Sequence, residues 1–301
     1  MEQYHRPVLL EESINGLVTN PDGVYVDLTF GGGGHSKAII KKLREGRLIA
    51  FDQDADAAAN VPEGKNRSFT FVAANFRHLG RYLKLYGIGK VAGILADFGV
   101  SSYQFDMPER GFSIRHNANL DMRMDQKATK TAAWVLNEYT YEDLKHVFKQ
   151  YGEITNAHRL SEMIVSARTT TPLMTVEELK TIAWKCAPGK REFKYLAQVF
   201  QALRIEVNDE LNAIADLLDQ VPDWLEKEGR LVCISYHSLE DRLIKNFMNK
   251  GNIEGKEEKD FYGNLIRPME PLSRKPIIPS DKEIEENGRA RSAKLRIAKR
   301  L

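Results

Sequence analysis

A chain of 301 residues with 42% apolar and 29% charged residues can bury a full core, in one large or two modest domains. No apolar stretch approaches the ~18 residues that a membrane helix needs, and the two cysteines, Cys186 and Cys233, lie in separate segments, so neither a disulfide framework nor a metal site is indicated. A net charge of +2 is too small to announce a nucleic-acid partner.

Met1-Glu2-Gln3-Tyr4-His5 lacks the basic start and apolar core of a signal peptide, and a reducing cytoplasm is the expected compartment. Val24-Tyr25-Val26, followed by Leu28 and Phe30, reads as a buried parallel strand with Asp27 facing inward. Gly31 to Gly34 follow; without a Cβ, such a backbone turns sharply and comes within contact distance of a ligand. His35 and Ser36 open a segment, to Leu43, whose apolar spacing predicts a helix with its N-terminus aimed at that ligand. Strand, glycine turn and helix make the first unit of a nucleotide-type site.

Arg47 to Asp52 is a second strand pattern that ends in an acid, 21 residues after Gly31. A carboxylate about that far on accepts hydrogen bonds from both hydroxyls of a ribose, which suits NAD, FAD and S-adenosylmethionine alike. Two details favour S-adenosylmethionine. The third glycine of a G-x-G-x-x-G register is missing, its slot holding Ser36 or Lys37, and Asp27 would attract a cationic amino or sulfonium group but repel a pyrophosphate.

Val91 to Asp97 again ends in an acid and runs into Phe98-Gly99-Val100-Ser101-Ser102. In open α/β sheets the ligand lies beyond the carboxyl ends of the strands, so Asp27, Asp52 and Asp97 converge if those strands are neighbours. Four βα-like units thus fill residues 24 to about 106. Residues 112 to 208 carry no strand pattern and read as helices over Ala132 to Tyr139, Tyr141 to Gln150, Asn156 to Ala167 and Val176 to Cys186, the last opened by a Thr175/Glu178 capping box. Strand character returns at Arg230 to Ser235, so the block between is an inserted domain, 112–208, within a catalytic domain of 1–111 and 209–301. Residues 249 to 260 are poor in apolar residues and are expected to form a mobile loop. Leu295-Arg296-Ile297 alternates as a terminal strand. Two basic clusters can neutralise phosphates: Arg289, Arg291, Lys294, Arg296, Lys299 and Arg300 in the tail, and Lys185, Lys190, Arg191 and Lys194 in the helical block.

A set of motifs then resembles one family in order: His5-Arg6-Pro7-Val8-Leu9-Leu10, DLTFGGGGHS at 27–36, AFDQD at 50–54, DFGVSS at 97–102, ERGFS at 109–113, LDMRMD at 120–125, FQALRIEVNDEL at 200–211, SYHSLEDR at 235–242 and RARSAKLRIA at 289–298. It is the bacterial 16S ribosomal RNA cytosine-N4-methyltransferase family, and the match runs from residue 5 to about residue 300. The resemblance implies an α/β class I methyltransferase fold, Rossmann-like with a mostly parallel sheet, carrying an inserted all-helical domain for substrate recognition. It implies S-adenosylmethionine as donor and the exocyclic amine of a cytosine in the decoding centre as acceptor, within 16S RNA of the small ribosomal subunit, with no membrane partner; a homodimer is left open. Carried over by motif, the cofactor contacts are Gly33, Gly34, His35, Asp52, Phe76, Asp97 and Gln104, to which the electrostatic reading above adds Asp27. Two positions depart from the family pattern: Tyr103 stands where proline is usual, and Tyr236 where phenylalanine is usual.

Methyl transfer to an amine needs chiefly positioning. A cytosine amine has its lone pair drawn into the ring, so acceptors for its N–H groups restore nucleophilicity. Asp97, Ser101 and Ser102 are placed for this, His237 after the Arg230–Ser235 strand is a further catalytic candidate, and Tyr103 and Phe105 are candidates for stacking on a flipped base. The chain lacks the acid-Pro-Pro-aromatic sequence that many amino-methylating enzymes carry here. A non-catalytic ribosome-assembly factor and an NAD-dependent oxidoreductase are the rival readings.

Overall fold

The computed structural model describes residues 7–62, 68–189 and 191–301; His5, Arg6 and Lys190, named above, lie outside the described residues, as does the Ser102 side chain. The chain forms two compact units, Met1–Gly99 with Leu211–Leu301, and Val100–Glu210.

In chain order the strands are β1 (Val24–Asp27), β2 (Arg47–Asp52), β3 (Phe69–Ala73), β4 (Val91–Asp97), β5 (Leu225–Ser235), β6 (Met269–Pro271) and β7 (Lys294–Arg300). The helices are α1 (Leu10–Leu17), α2 (Gly34–Lys42), α3 (Leu79–Leu85), α4 (Ser102–Asp106), α5 (Ala132–Glu138) and α6 (Tyr141–Gln150). They continue as α7 (Ala157–Arg168), α8 (Val176–Cys186), α9 (Glu192–Asn208), α10 (Glu210–Trp224), α11 (Ser238–Lys250) and α12 (Asp281–Glu286).

All strands lie in the first unit, in one sheet of order β3-β2-β1-β4-β5-β7-β6. β1 to β5 run parallel, and β7 is antiparallel to both β5 and β6. Both faces are covered, which is why the parallel strands read as near-continuous apolar runs. The alternation still sorts them. Val26, Ile49, Ile94 and Leu231 pack with Ile214, Leu217 and Leu218 of α10 and Ile244 and Phe247 of α11. Their neighbours Tyr25, Leu48, Leu95 and Val232 pack on the opposite face with Ile14 and Leu17 of α1 and Ile39 of α2. The chain leaves β3 at one edge and re-enters as β4 on the far side of β1, so strand order reverses between β1 and β4. That switch point is where a doubly wound sheet opens a crevice.

β5 starts five residues before the expected strand, directly after α10. Its register against β4 jumps from Val91↔Leu225 to Gly93↔Arg230, with Glu228 at φ 63°, so the early part is a bulge rather than an apolar run. The terminal strand is present as β7, with Leu295 and Ala298 buried. In the segment expected as a mobile loop, 249–260, α11 ends at Lys250 and a polar turn closes the stretch. Lys259 bridges Leu265, and the Asp260 carboxylate accepts from the N–H groups of Tyr262 and Asn264 and from the Asn264 side-chain amide. Polar side chains close the turn here without an apolar core.

The second unit holds α4 to α9 around its own core, in which Leu136, Leu144, Phe148, Leu160, Ile164, Leu179, Leu196, Val199 and Leu203 are buried. Thr131 and Thr140 cap α5 and α6, and Thr175 and Glu178 form the expected box on α8. The unit begins at Val100, earlier than the change of pattern at 112. The reason is the packing of the intervening segment: Val100 and Phe105 lie against the helical core, and the buried Arg110 donates to the carbonyls of Arg123 and Met124.

Candidate active site at the carboxyl ends of the strands

The glycine turn is built on backbone strain that only glycine relieves. Gly33 caps α2 at φ 73°, and a Cβ there would meet the Phe30 ring at 2.9 Å; a Cβ on Gly34 would lie 2.2 Å from Pro7. The turn is tied to β2, because Gly31 N–H donates to Asp52 Oδ2 at 2.7 Å. Asn60 holds the Gly31 carbonyl at 3.0 Å.

Asp27 is fully buried at the end of β1. Its Oδ2 accepts from the Ser36 hydroxyl at 2.6 Å and its Oδ1 from Thr29 N–H at 3.1 Å. Burial pushes its carboxyl up to about 6, against the pull of those two donors. Ser36, noted in the sequence as the residue in a glycine's slot, is thus the buried partner of Asp27.

Asp97 ends β4 and gathers three residues from separate elements. Its N–H donates to Thr29 Oγ1 at 2.7 Å, Tyr236 O–H donates to its Oδ1 at 2.8 Å, and His35 Nδ1 stands 3.8 Å from its Oδ2. Burial raises this carboxyl too, to about 6, with His35 and Tyr236 opposing. His35 is buried with Nε2 3.2 Å from the Val8 carbonyl, and burial pulls its own affinity for a second proton down. Asp52 completes the set, again at about 6 through burial, with the N–H groups of Asp54 and Gly31 opposing. Phe76 follows β3 and packs edge-on to Phe98, the residue after Asp97, with centroids 5.6 Å apart.

Asp27, Gly33, Gly34, His35, Asp52, Phe76 and Asp97 therefore share the carboxyl edge of β1 to β4. Ser101 and Gln104 belong to the helical unit. There they form a capping box on α4: Gln104 N–H donates to Ser101 Oγ, and Ser101 N–H to Gln104 Oε1. His237 has a structural task, as its Nδ1 accepts from Glu240 N–H at the start of α11. It is Tyr236, one residue earlier, that reaches Asp97. Sequence reasoning treated Tyr236 only as a departure from a pattern, and passed over Thr29 entirely; a hydroxyl residue two positions after a strand-end acid was the available signal.

Three half-buried or buried carboxyls with raised proton affinity form a cradle for a cationic ligand, since positive charge nearby favours their ionised form. The same cradle is hostile to a pyrophosphate. The tail's basic cluster is largely spent on structure: Arg296 and Lys294 pair with Asp241, Lys299 with Glu228 and Glu270, and Arg300 donates to the carbonyls of Pro222 and Pro268.

The sequence pattern of the MraW methylase family matches residues 2–301. The chain belongs to that family. Among its relatives, a ribosomal RNA small subunit methyltransferase H from Cytophaga hutchinsonii is 53% identical over 297 residues, covering 99% of each chain. The protein of that name from Flavobacterium johnsoniae is 52% identical over 301 residues, covering 99% of this chain and 98% of its own. A solved rRNA methylase from Streptococcus thermophilus aligns over 97% of this chain and 93% of its own, with 9% identity and a TM-score of 0.41. As a MraW-family methylase with a mostly parallel seven-stranded sheet, the chain has the class I methyltransferase fold expected from its motifs.

Proposed function

We propose that this chain transfers the methyl group of S-adenosylmethionine to the exocyclic N4 of a cytosine in 16S ribosomal RNA, in the cytoplasm and on the small ribosomal subunit. Membership of the methylase family makes it an S-adenosylmethionine-dependent methyltransferase acting on RNA. The observation that carries the reading is the convergence of Asp27, Asp52 and Asp97, each with its carboxyl raised to about 6, at the sheet's switch point beside the glycine turn.

The donor supplies a methyl carbon already activated by a sulfonium. Everything else falls to the chain. Asp52 binds the ribose hydroxyls, and Gly33, Gly34, His35 and Phe76 line the donor's seat. Asp27 contributes negative charge behind the glycine turn. Asp97, oriented by Tyr236 and Thr29, accepts an N–H of the incoming amine. That acceptor returns electron density to the nitrogen's lone pair and takes the N–H proton as the N–CH3 bond forms and the S–CH3 bond of the donor breaks. Gln104 is added to the cofactor set on the strength of the matching motif, and Ser101 and Ser102 to the acceptor set on their place in sequence after Asp97. The helical unit is assigned to substrate recognition.

The test is incubation of 16S RNA, and of small subunits, with labelled donor, followed by mapping of the modified base. Label at a cytosine N4 is the expected result. Donor binding without labelling of any RNA would favour the assembly-factor reading instead.

A further inference from the structure

Two of the exposed aromatic rings of the helical unit stand together. Phe193, at the start of α9, is 71% exposed, and Trp184, at the end of α8, is 38% exposed. They touch each other edge to face, with centroids 6.5 Å apart. Lys180 lies over the outer ring system, its Nζ 4.6 Å from the Trp184 centroid, and is itself held by Glu177 at 3.1 Å. Lys185 neighbours Trp184 in sequence, Arg191 and Lys194 flank Phe193, and all three are exposed. Arg159, also exposed, is brought in from α7 by donating to the Lys185 carbonyl at 3.2 Å. Lys180 and Arg159 are thus tied to the two rings or their neighbours by contact, and Lys185, Arg191 and Lys194 by sequence, with Glu177 and Glu192 among the nearby acids.

We infer that this surface binds single-stranded RNA, stacking unpaired bases on Phe193 and Trp184 while Arg159, Lys185, Arg191 and Lys194 neutralise the backbone. Several observations favour RNA over a protein partner. Two exposed rings in mutual contact make a contiguous apolar patch of the kind that marks interaction sites, and cations around them match a polyanion. Base–aromatic stacking with flanking Lys and Arg is how single strands are held without base-specific hydrogen bonds. An A-form duplex offers no unstacked base for a ring to cover. The inference rests on the RNA-substrate reading above and says where the helical unit grips that substrate.

Phe193→Ala removes a ring that the fold does not bury. Each ring lost should weaken binding of a single-stranded oligoribonucleotide roughly 5- to 100-fold. Phe193→Tyr should restore binding to within about twofold of the parent. Urea unfolding and affinity for S-adenosylhomocysteine should be unchanged in both. The same oligonucleotide should quench part of the parent's tryptophan emission, and that part should be missing in Trp184→Phe. Arg191→Ala should flatten the salt dependence by about 0.7 on a single strand. Equal single-strand affinity in parent and Phe193→Ala overturns the inference, as does preference for the duplex. Normal RNA binding with weakened subunit binding also overturns it, because the surface would then dock a protein. These are binding measurements without donor, so their failure is distinct from failure of the methylation assay, which addresses the reaction itself.

Discussion

Asp97→Asn separates what the active site needs from what the fold prefers. The Asp97 carboxyl lies at about 6 instead of the ordinary 3.8, chiefly because it is buried; His35 and Tyr236 offset only part of that. The folded protein holds this proton more tightly than the unfolded chain. The group's contribution to stability is therefore present below 3.8 and lost as pH rises through about 6. At 1.36 kcal/mol per tenfold change in proton affinity, the ionised carboxylate destabilises the donor-free protein by about 3 kcal/mol at pH 7 and about half that at pH 5. Asparagine has nearly the same shape, carries no charge, and still offers Oδ1 to the Tyr236 hydroxyl. Part of the ionisation penalty is repulsion from Asp27 and Glu240, which the substitution also relieves. Urea unfolding without donor should thus show the variant more stable by roughly 1–3 kcal/mol at pH 7, with a smaller margin at pH 5. Single-turnover methyl transfer should meanwhile fall at least about tenfold, and donor affinity less, as for an interaction made mainly in the transition state. A variant no more stable than the parent at pH 7, or a margin that does not shrink at pH 5, would refute the argument from burial.

Other expectations follow from the same geometry. Asp52→Ala should weaken donor binding by roughly 2–4 kcal/mol by calorimetric titration; unchanged affinity removes Asp52 from the site. Donor affinity should fall as pH drops below about 6, where Asp27, Asp52 and Asp97 take up protons; a flat profile from pH 7 to 5 contradicts the cradle. Tyr236→Phe removes a donor that favours the ionised form of Asp97, so the acid limb of the rate profile should move to higher pH. Gly33→Ala should destabilise by about 1–3 kcal/mol, since its φ of 73° strains any L side chain and the Phe30 ring stands where the Cβ would go.

β1, β2 and β4 and their terminal acids were legible because both faces of the sheet are buried there and each of these strands ends in a polar group; β3, only partly buried, was not. The glycine turn was legible because only glycine tolerates φ of 73° at Gly33 with the Phe30 ring so near. What escaped depended on distance in sequence. Tyr236 and Asp97 are 139 residues apart, and Thr29 and Asp97 are 68 apart; no periodicity links them. α9 carries a local helical spacing in Tyr195, Leu196, Val199, Phe200 and Leu203, which overlaps the FQALRIEVNDEL motif. The ordered turn at 260–264 escaped because it is held by Asp260 and Asn264, whose polarity resembles that of an unfolded segment. The tail's cations were overread for a related reason. Charge is visible in a sequence, but the partners Asp241, Glu228 and Glu270 are not.

In the proposed site, the raised carboxyls would also tell the donor from other nucleotides. A ribose and an aromatic base are shared by many cofactors, and Asp52 or Phe76 cannot distinguish them. Charge can. Asp27 helps to lift the carboxyls of both Asp52 and Asp97, so any ligand that brings more negative charge adds to an unfavourable total. On the proposed function, a sulfonium with its amino group would reverse that balance and hold both acids ionised. The ionised Asp97 is then the form that accepts an amine N–H. Binding the right donor and preparing the acceptor contact are, on this argument, one electrostatic event, and the instability of the empty crevice at neutral pH is the other side of it.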